Sequence, residues 1–161
     1  MKLKEIMDKY ADYEVIEEEL AKVLKKPKPK TIWELEKGDE YWCIDSFGDI
    51  YNINWDNDGV EIHKREIGRA FLTKQDAEFE HELRKIEVIM LKYGRRTFSH
   101  DCSNYMIRME VDNSEISIPN CPYYNYGTIY FDTTELAQKA IEEIGKERLK
   151  KYYFRTEEQK K

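Results

Sequence analysis

A stretch that recurs at a fixed offset constrains a chain strongly, because both copies must find a similar local structure. Residues 68–93, GRAFLTKQDAEFEHELRKIEVIMLKY, and residues 127–154, GTIYFDTTELAQKAIEEIGKERLKKYYF, form such a pair. Phe71, Thr73 and Ala77 stand sixty residues before Phe131, Thr133 and Ala137. In each copy an apolar strand end runs into a threonine whose hydroxyl can accept from an amide two or three residues on, as a helix N-cap does. Thr73 takes that place in the first copy, and Thr133 or Thr134 in the second. Phe79, Leu83, Ile86, Met90 and Tyr93 then recur in steps of three and four. Ala137, Ile141, Ile144 and Tyr152, with Ala140 and Leu149 alongside, give the matching stripe. This spacing predicts two amphipathic helices, each with one buried face.

The likeness continues upstream. Residues 41–45, a turn at 46–49 and residues 50–53 read as a hairpin; residues 105–111, a turn at 112–114 and residues 115–118 read as another. Each hairpin precedes a third strand and a helix. The expected fold class is therefore α+β, with two pseudo-repeated βββα units and an N-terminal helical arm. One such unit buries little apolar surface alone, so the two are expected to pack on each other, with Phe71 and Phe131 as equivalent core residues. The expected segments are an arm at 1–26, a Lys/Pro linker and lead-in at 27–39, units at 40–97 and 98–155, and a tail at 156–161. In the arm, Leu3, Ile6, Met7 and Tyr10 form one stripe and Val15, Leu20, Val23 and Leu24 another. Lys-Pro-Lys-Pro-Lys at 26–30 ends it, since proline lacks the amide and restrains its predecessor. Trp33 and Leu35 are expected to pin the chain onto the main domain.

Hydrophobic residues make up 40% of the 161 and aromatics 13%, enough for a core despite 37% charged residues. No apolar run approaches the roughly 20 residues that span a bilayer, and the N-terminus lacks a signal-peptide core. Cys43, Cys102 and Cys121 are scattered rather than paired. A soluble protein of a reducing cytoplasm is expected. The net charge of −6 is unevenly spread. Residues 34–61 hold nine acids against one base, Lys37, for a local −8, which leaves the remainder at +2. Residues 22–30, in contrast, hold five lysines and no acid. Charge blocks of this kind are ordinarily solvated surface, so a functional use needs further support.

The stretches MKLKEIMDKYADYEV, KPKPKTIWELEKGDEYWCIDSFGDIY, IGRAFLTKQDAEFE and the closing ERLKKYYF together resemble a family of small proteins encoded in phages and prophages of Gram-positive bacteria. The resemblance covers nearly the whole chain. It implies a non-structural accessory protein expressed in the cytoplasm of the infected host, and it supplies no catalytic motif.

The residues themselves give no catalytic or metal site. Asn54-Trp55-Asp56-Asn57-Asp58-Gly59 nearly fits the first six positions of a calcium loop, but position 12 is Arg65 where a bidentate glutamate belongs. Its flanks read as strand, so a polar turn is expected. His63, His81 and His100 share no ligand spacing, and no C-x-x-C or H-x-x-x-H pair is present. His81 falls on or near the polar side of its helix. His100-Asp101-Cys102 is a loop rather than a facing nucleophile and base. Glu78, Glu80, Glu82 and Glu87 read as a solvated face partly neutralised by Arg84 and Lys85. No enzyme, cofactor or metal is expected.

Three modes of binding follow. The first is a non-enzymatic inhibitor of a host protein, in the manner of an anti-CRISPR or anti-restriction protein, acting on a nucleic-acid-handling defence nuclease. Its surface would be Asp39, Glu40, Asp45, Asp49, Asp56 and Asp58, which could occupy a cationic groove. Tyr123, Tyr124 and Tyr126 would add contact area. The second is a sponge for a small ligand such as a nucleotide signal, held in the cleft between the repeats by Arg65, Arg69, Arg95 and Arg96. The third is direct nucleic-acid binding through residues 22–30, which the overall charge disfavours.

Overall fold

The computed structural model describes residues 3–9, 29, 31–110, 112 and 114–156. The chain divides into two compact units, Met1–Lys30 and Thr31–Lys161. In the first, helix α1 spans Leu3–Lys9. The rest of the expected arm, with Lys28 and Lys30 of the linker, lies outside the described residues.

The second unit is mixed α+β. After a 3₁₀ turn at Ile32–Glu34 come β1 (Glu40–Ile44), β2 (Ile50–Asn54), α2 (Gly59–Glu66), β3 (Ala70–Phe71) and α3 (Lys74–Tyr93). Then follow β4 (Tyr105–Met106), β5 (Arg108–Met109), β6 (Ile116–Ser117), β7 (Tyr130–Phe131) and α4 (Thr134–Ile144). The β1–β2 hairpin pairs Glu40 with Asn54 through Ile44 with Ile50, and β3 joins the other edge of β1. The sheet order is β2-β1-β3. Farther on, β4 pairs with β7 and β5 with β6, all antiparallel. In both halves the first strand of the hairpin faces the short strand before the long helix: Trp42 lies opposite Phe71, and Tyr105 opposite Phe131.

Three features depart from the expected βββα pattern. Between β2 and β3 the chain forms α2, where strand flanks were expected around a polar turn. Asp58 caps it by accepting from the Glu61 amide at 2.8 Å. The second hairpin is broken at Ile107, whose buried side chain joins the core while β4 and β5 pair with different partners. The last helix is interrupted. Gly145, at φ 88°, closes α4 by donating to Ile141 O at 2.8 Å. A turn at Lys146–Arg148 follows, then a wide turn at Leu149–Tyr153 in which Phe154 N reaches Leu149 O at 2.9 Å. Both helix caps are threonines: Thr73 accepts from Asp76 N, and Thr133, rather than Thr134, from Leu136 N.

The main core lies between α3 and the second half. Ile86 and Met90 of α3 meet Ile107, Ile129, Phe131, Ala137, Ala140, Ile141, Ile144 and Leu149. The first sheet is covered on both faces by smaller clusters. Tyr41 and Cys43 pack with Leu35, Trp55 and Ala70, whereas Ile44 packs with Phe71 and Ala77 under α3. Phe131 therefore sits in the large core and Phe71 in a small one. They share a register but not an environment. Leu35 is buried as expected, while Trp33 is mostly exposed.

Candidate functional site

The α3 helix has two working faces. Ile86 and Met90 point into the core. Nearly opposite, His81, Arg84, Lys85 and Val88 follow at i, i+3, i+4 and i+7, a spacing that aligns them along the axis. This second stripe forms one wall of a cavity of about 650 Å³. The end of β1 and the loop after it, residues 44–48, supply another wall, and Arg69, Ile89 and Arg148 complete the lining. Four permanent cations thus converge there: Arg69, Arg84, Lys85 and Arg148.

Two carboxylates stand among them. Glu82 accepts from Lys85 at 2.9 Å and from Arg148 at 2.8 Å, so one acid is shared by two bases. The Lys85 hydrogen bond first, with Arg148 adding to it against partial burial, holds its carboxyl below the usual range. Asp45 is occupied by its own loop: Oδ1 accepts from Phe47 N at 2.8 Å and Asp49 N at 2.9 Å. Those bonds, the one from Asp49 foremost, and the charge of Arg69 lower its pKa. Among the described residues, Arg84 makes only a long 3.5 Å contact, to Gly68 O.

The loop is well fixed. Asp45 N donates to Asp49 O at 3.0 Å, and Gly48, at φ 92°, lies so close to His81 that an added Cβ would stand 2.9 Å from its Cε1. His81 is therefore half-buried beneath the loop rather than on an open polar side. At the lip of the cavity Phe47 is 90% exposed and Val88 67%. A ring so bare on a loop so well tied is unusual, because burying it would be worth about 1.5–3 kcal/mol.

The proposed cationic ligands separate. Arg69 alone of the four lines this cavity. Arg65 lies between two indoles, its guanidinium carbon 4.8 Å from the Trp33 ring centre and 4.9 Å from that of Trp55. Arg95 is consumed in holding residues 97–104: it bonds Asp132 at 2.9 Å, Asn104 Oδ1 at 3.0 Å, and the carbonyl oxygens of Thr97 and Ser103. Arg96 pairs with Glu87 at 3.1 Å. They do not share a cleft, because each belongs to a different local network.

The acidic set separates as well. Asp39 accepts from Glu36 N at 2.8 Å and closes a turn. Asp45 closes the hairpin loop and Asp58 caps α2, so these three carboxylates are committed to backbone amides. Asp56 pairs with Lys37 at 3.7 Å, and Glu40, Asp49 and Asp56 are exposed. A seventh acid, absent from the expected set, is buried: Glu61 accepts from the amides of Asp56 and Asn57 and from Tyr41 Oη at 3.3 Å. Its sequence signal is the D-x-x-E spacing of Asp58 and Glu61, a capping-box pattern. The calcium-like loop is thus stabilised by a glutamate where a cation was considered. Among the described residues no group of three or more His, Cys, Asp or Glu side chains could hold a metal ion.

Tyr123, Tyr124 and Tyr126 are all exposed, and the first two line a hollow of about 450 Å³ with Arg96, Thr97, Phe98, His100 and Pro122. Of the glutamates of α3, Glu82 meets Lys85 as expected, whereas Glu80 meets Arg155, Glu87 meets Arg96, and Glu78 meets Lys74. No described helix is long and apolar enough to cross a membrane. No family model matches the chain, and neither a characterised protein nor a solved structure does so.

Proposed function

We propose that this protein binds a small anionic ligand in the cavity between the β1–β2 loop, α3 and Arg148, and holds it without chemical change. The observation that supports this is a local inversion of charge. In a chain of net charge −6, Arg69, Arg84, Lys85 and Arg148 converge on one cavity with only Asp45 and Glu82 to balance them. Cations gathered in a concave, partly apolar site focus a positive potential that open surface lysines do not. The volume lies within the ~300–1,000 Å³ usual for small-ligand sites. For a phage-encoded accessory protein, sequestering an anionic host metabolite or signal needs no catalytic group. The shared register of Trp42 with Phe71 and Tyr105 with Phe131 supports reading the halves as diverged βββα copies. The cavity then lies on the hairpin and helix of the first copy, with Arg148 contributed by the second.

Isothermal titration of the full chain with inorganic pyrophosphate tests the anion site. Binding is expected at low salt, weakening as salt rises, and at least about ten-fold weaker in Arg69→Gln/Arg84→Gln. Absence of binding at low salt, or equal binding by the double variant, removes the reading.

A second reading, inhibition of a host protein, is favoured by the three exposed tyrosines between β6 and β7, which add large rigid contact area. Of the acidic set it retains Glu40, Asp49 and Asp56. Replacing Tyr123, Tyr124 and Tyr126 by Ser should abolish capture of a host partner that survives nuclease treatment. Unchanged capture would exclude that surface.

A further inference from the structure

We infer that the anion held in this cavity is a nucleotide, its base stacked on Phe47 and its phosphate among Arg69, Arg84 and Arg148. This deepens the small-anion reading and rests on it. A simple inorganic anion would need the cations alone, yet the loop invests its geometry in something else. Asp45 Oδ1 ties down the amides of Phe47 and Asp49, and Gly48 seats the loop against His81. The consequence is that Phe47 is presented to solvent, 90% exposed, from a backbone that has little freedom to fold it away. A fixed, bare aromatic ring beside a cationic cavity matches a molecule that is flat and apolar at one end and anionic at the other. Every nucleobase has a π-face that stacks on such a ring, and a fork of arginines suits phosphate oxygens.

The loop also offers an acceptor for the base edge. Both amide bonds to Asp45 use Oδ1, which leaves Oδ2 to receive the exocyclic N–H of a base on Phe47. Val88 and Ile89 of α3, with Ile44 of β1, supply the apolar walls that a base or sugar carbon would cover. A nucleotide thus uses the ring, the carboxylate and the arginines together, whereas pyrophosphate uses only the arginines.

Titration calorimetry of the intact chain with AMP, GMP and pyrophosphate, repeated on Phe47→Ala and Phe47→Trp, separates the two levels. A mononucleotide is expected to bind at least about ten-fold tighter than pyrophosphate. Phe47→Ala should remove most of that advantage while leaving pyrophosphate within about two-fold, and Phe47→Trp should retain it. If pyrophosphate binds as tightly as either mononucleotide and Phe47→Ala changes nothing, the nucleotide inference falls while the anion site stands. If Phe47→Ala weakens both probes equally, the ring is not a stacking platform and the inference falls too. If no probe binds, both readings fall.

Discussion

At the scale of single residues, the chain resolves its buried polar groups by local pairing, and Tyr41 with Glu61 is the clearest case. Both side chains are buried, and Trp55 meets the Tyr41 ring edge-on at 5.4 Å. Burial above all, with Cys43 and Glu61 adding to it, pushes the Tyr41 hydroxyl well above its ordinary value of about 10. The sign of the linkage follows. The folded state keeps a proton that the unfolded chain sheds, so the contribution is complete below about pH 10 and declines as pH climbs towards the folded pKa. Tyr41→Phe removes that term and also the 3.3 Å bond to Glu61. It is expected to lower stability near neutral pH by about 1 kcal/mol and to narrow the gap from the parent between about pH 9 and pH 11. Urea unfolding of both proteins across that range provides the check. Parallel pH profiles would show that Tyr41 ionises as readily folded as unfolded. Glu61 itself is hard to single out in the acidic segment because a carboxylate in a charge block looks solvated. Its partners are amides four and five residues back, and only the cap at Asp58 reveals why it turns inward.

Among elements, the legible parts were those set by local chemistry. Thr73 and Thr133 cap their helices because a threonine oxygen can reach an amide three residues on, and no tertiary contact is required. The stripes on α3 and α4 are legible for the same reason, since their period is a property of the helix. By contrast, α2 is not legible in the sequence because GVEIHKRE is too short to develop a stripe, with Glu61 as its one buried residue. Gly145 is visible as a glycine inside a helical copy, yet only its φ of 88° shows that α4 ends there. The element-level prediction concerns the two phenylalanines that sixty-residue spacing equates. Phe131 is fully buried among the α3, α4 and β4 side chains, while Phe71 packs with Ile44 and Ala77 at the edge of α3. Phe131→Ala should cost about 3–5 kcal/mol by leaving a cavity that the large core cannot collapse. Phe71→Ala should cost less, because fewer neighbours surround the void and water can reach it. Equal losses in chemical denaturation would mean that the two sites are as alike energetically as they are in sequence.

In the main unit as a whole, stability and the candidate site sit in different places. The candidate cavity uses the outer face of α3, and no short-range pattern could disclose it, because residues 44–48, 69, 81–89 and 148 meet only through folding. His81, Arg84, Lys85 and Val88 have the spacing of an ordinary solvated stripe, with Val88 as the one discordant residue. Among the described residues, the inner face of α3 belongs to a ten-residue buried cluster shared with the second half, whereas the first sheet rests on clusters of five and three residues. Local opening is governed by how much apolar packing must be undone. The β1–β2 hairpin, with β2 on the sheet edge, should therefore open at lower free energy than α3 and α4. Native-state hydrogen exchange is expected to show Cys43 and Ile44 amides exchanging faster than those of Met90 and Ile141, with the order preserved in mild denaturant. A saturating ligand in the cavity would touch residues 44–48 and α3 together, so it should slow exchange in the hairpin more than at the centre of α4. If the hairpin exchanges as slowly as α3 without ligand, the two layers unfold as one unit. The site would then sit on a rigid wall rather than on a loop that the ligand helps to hold.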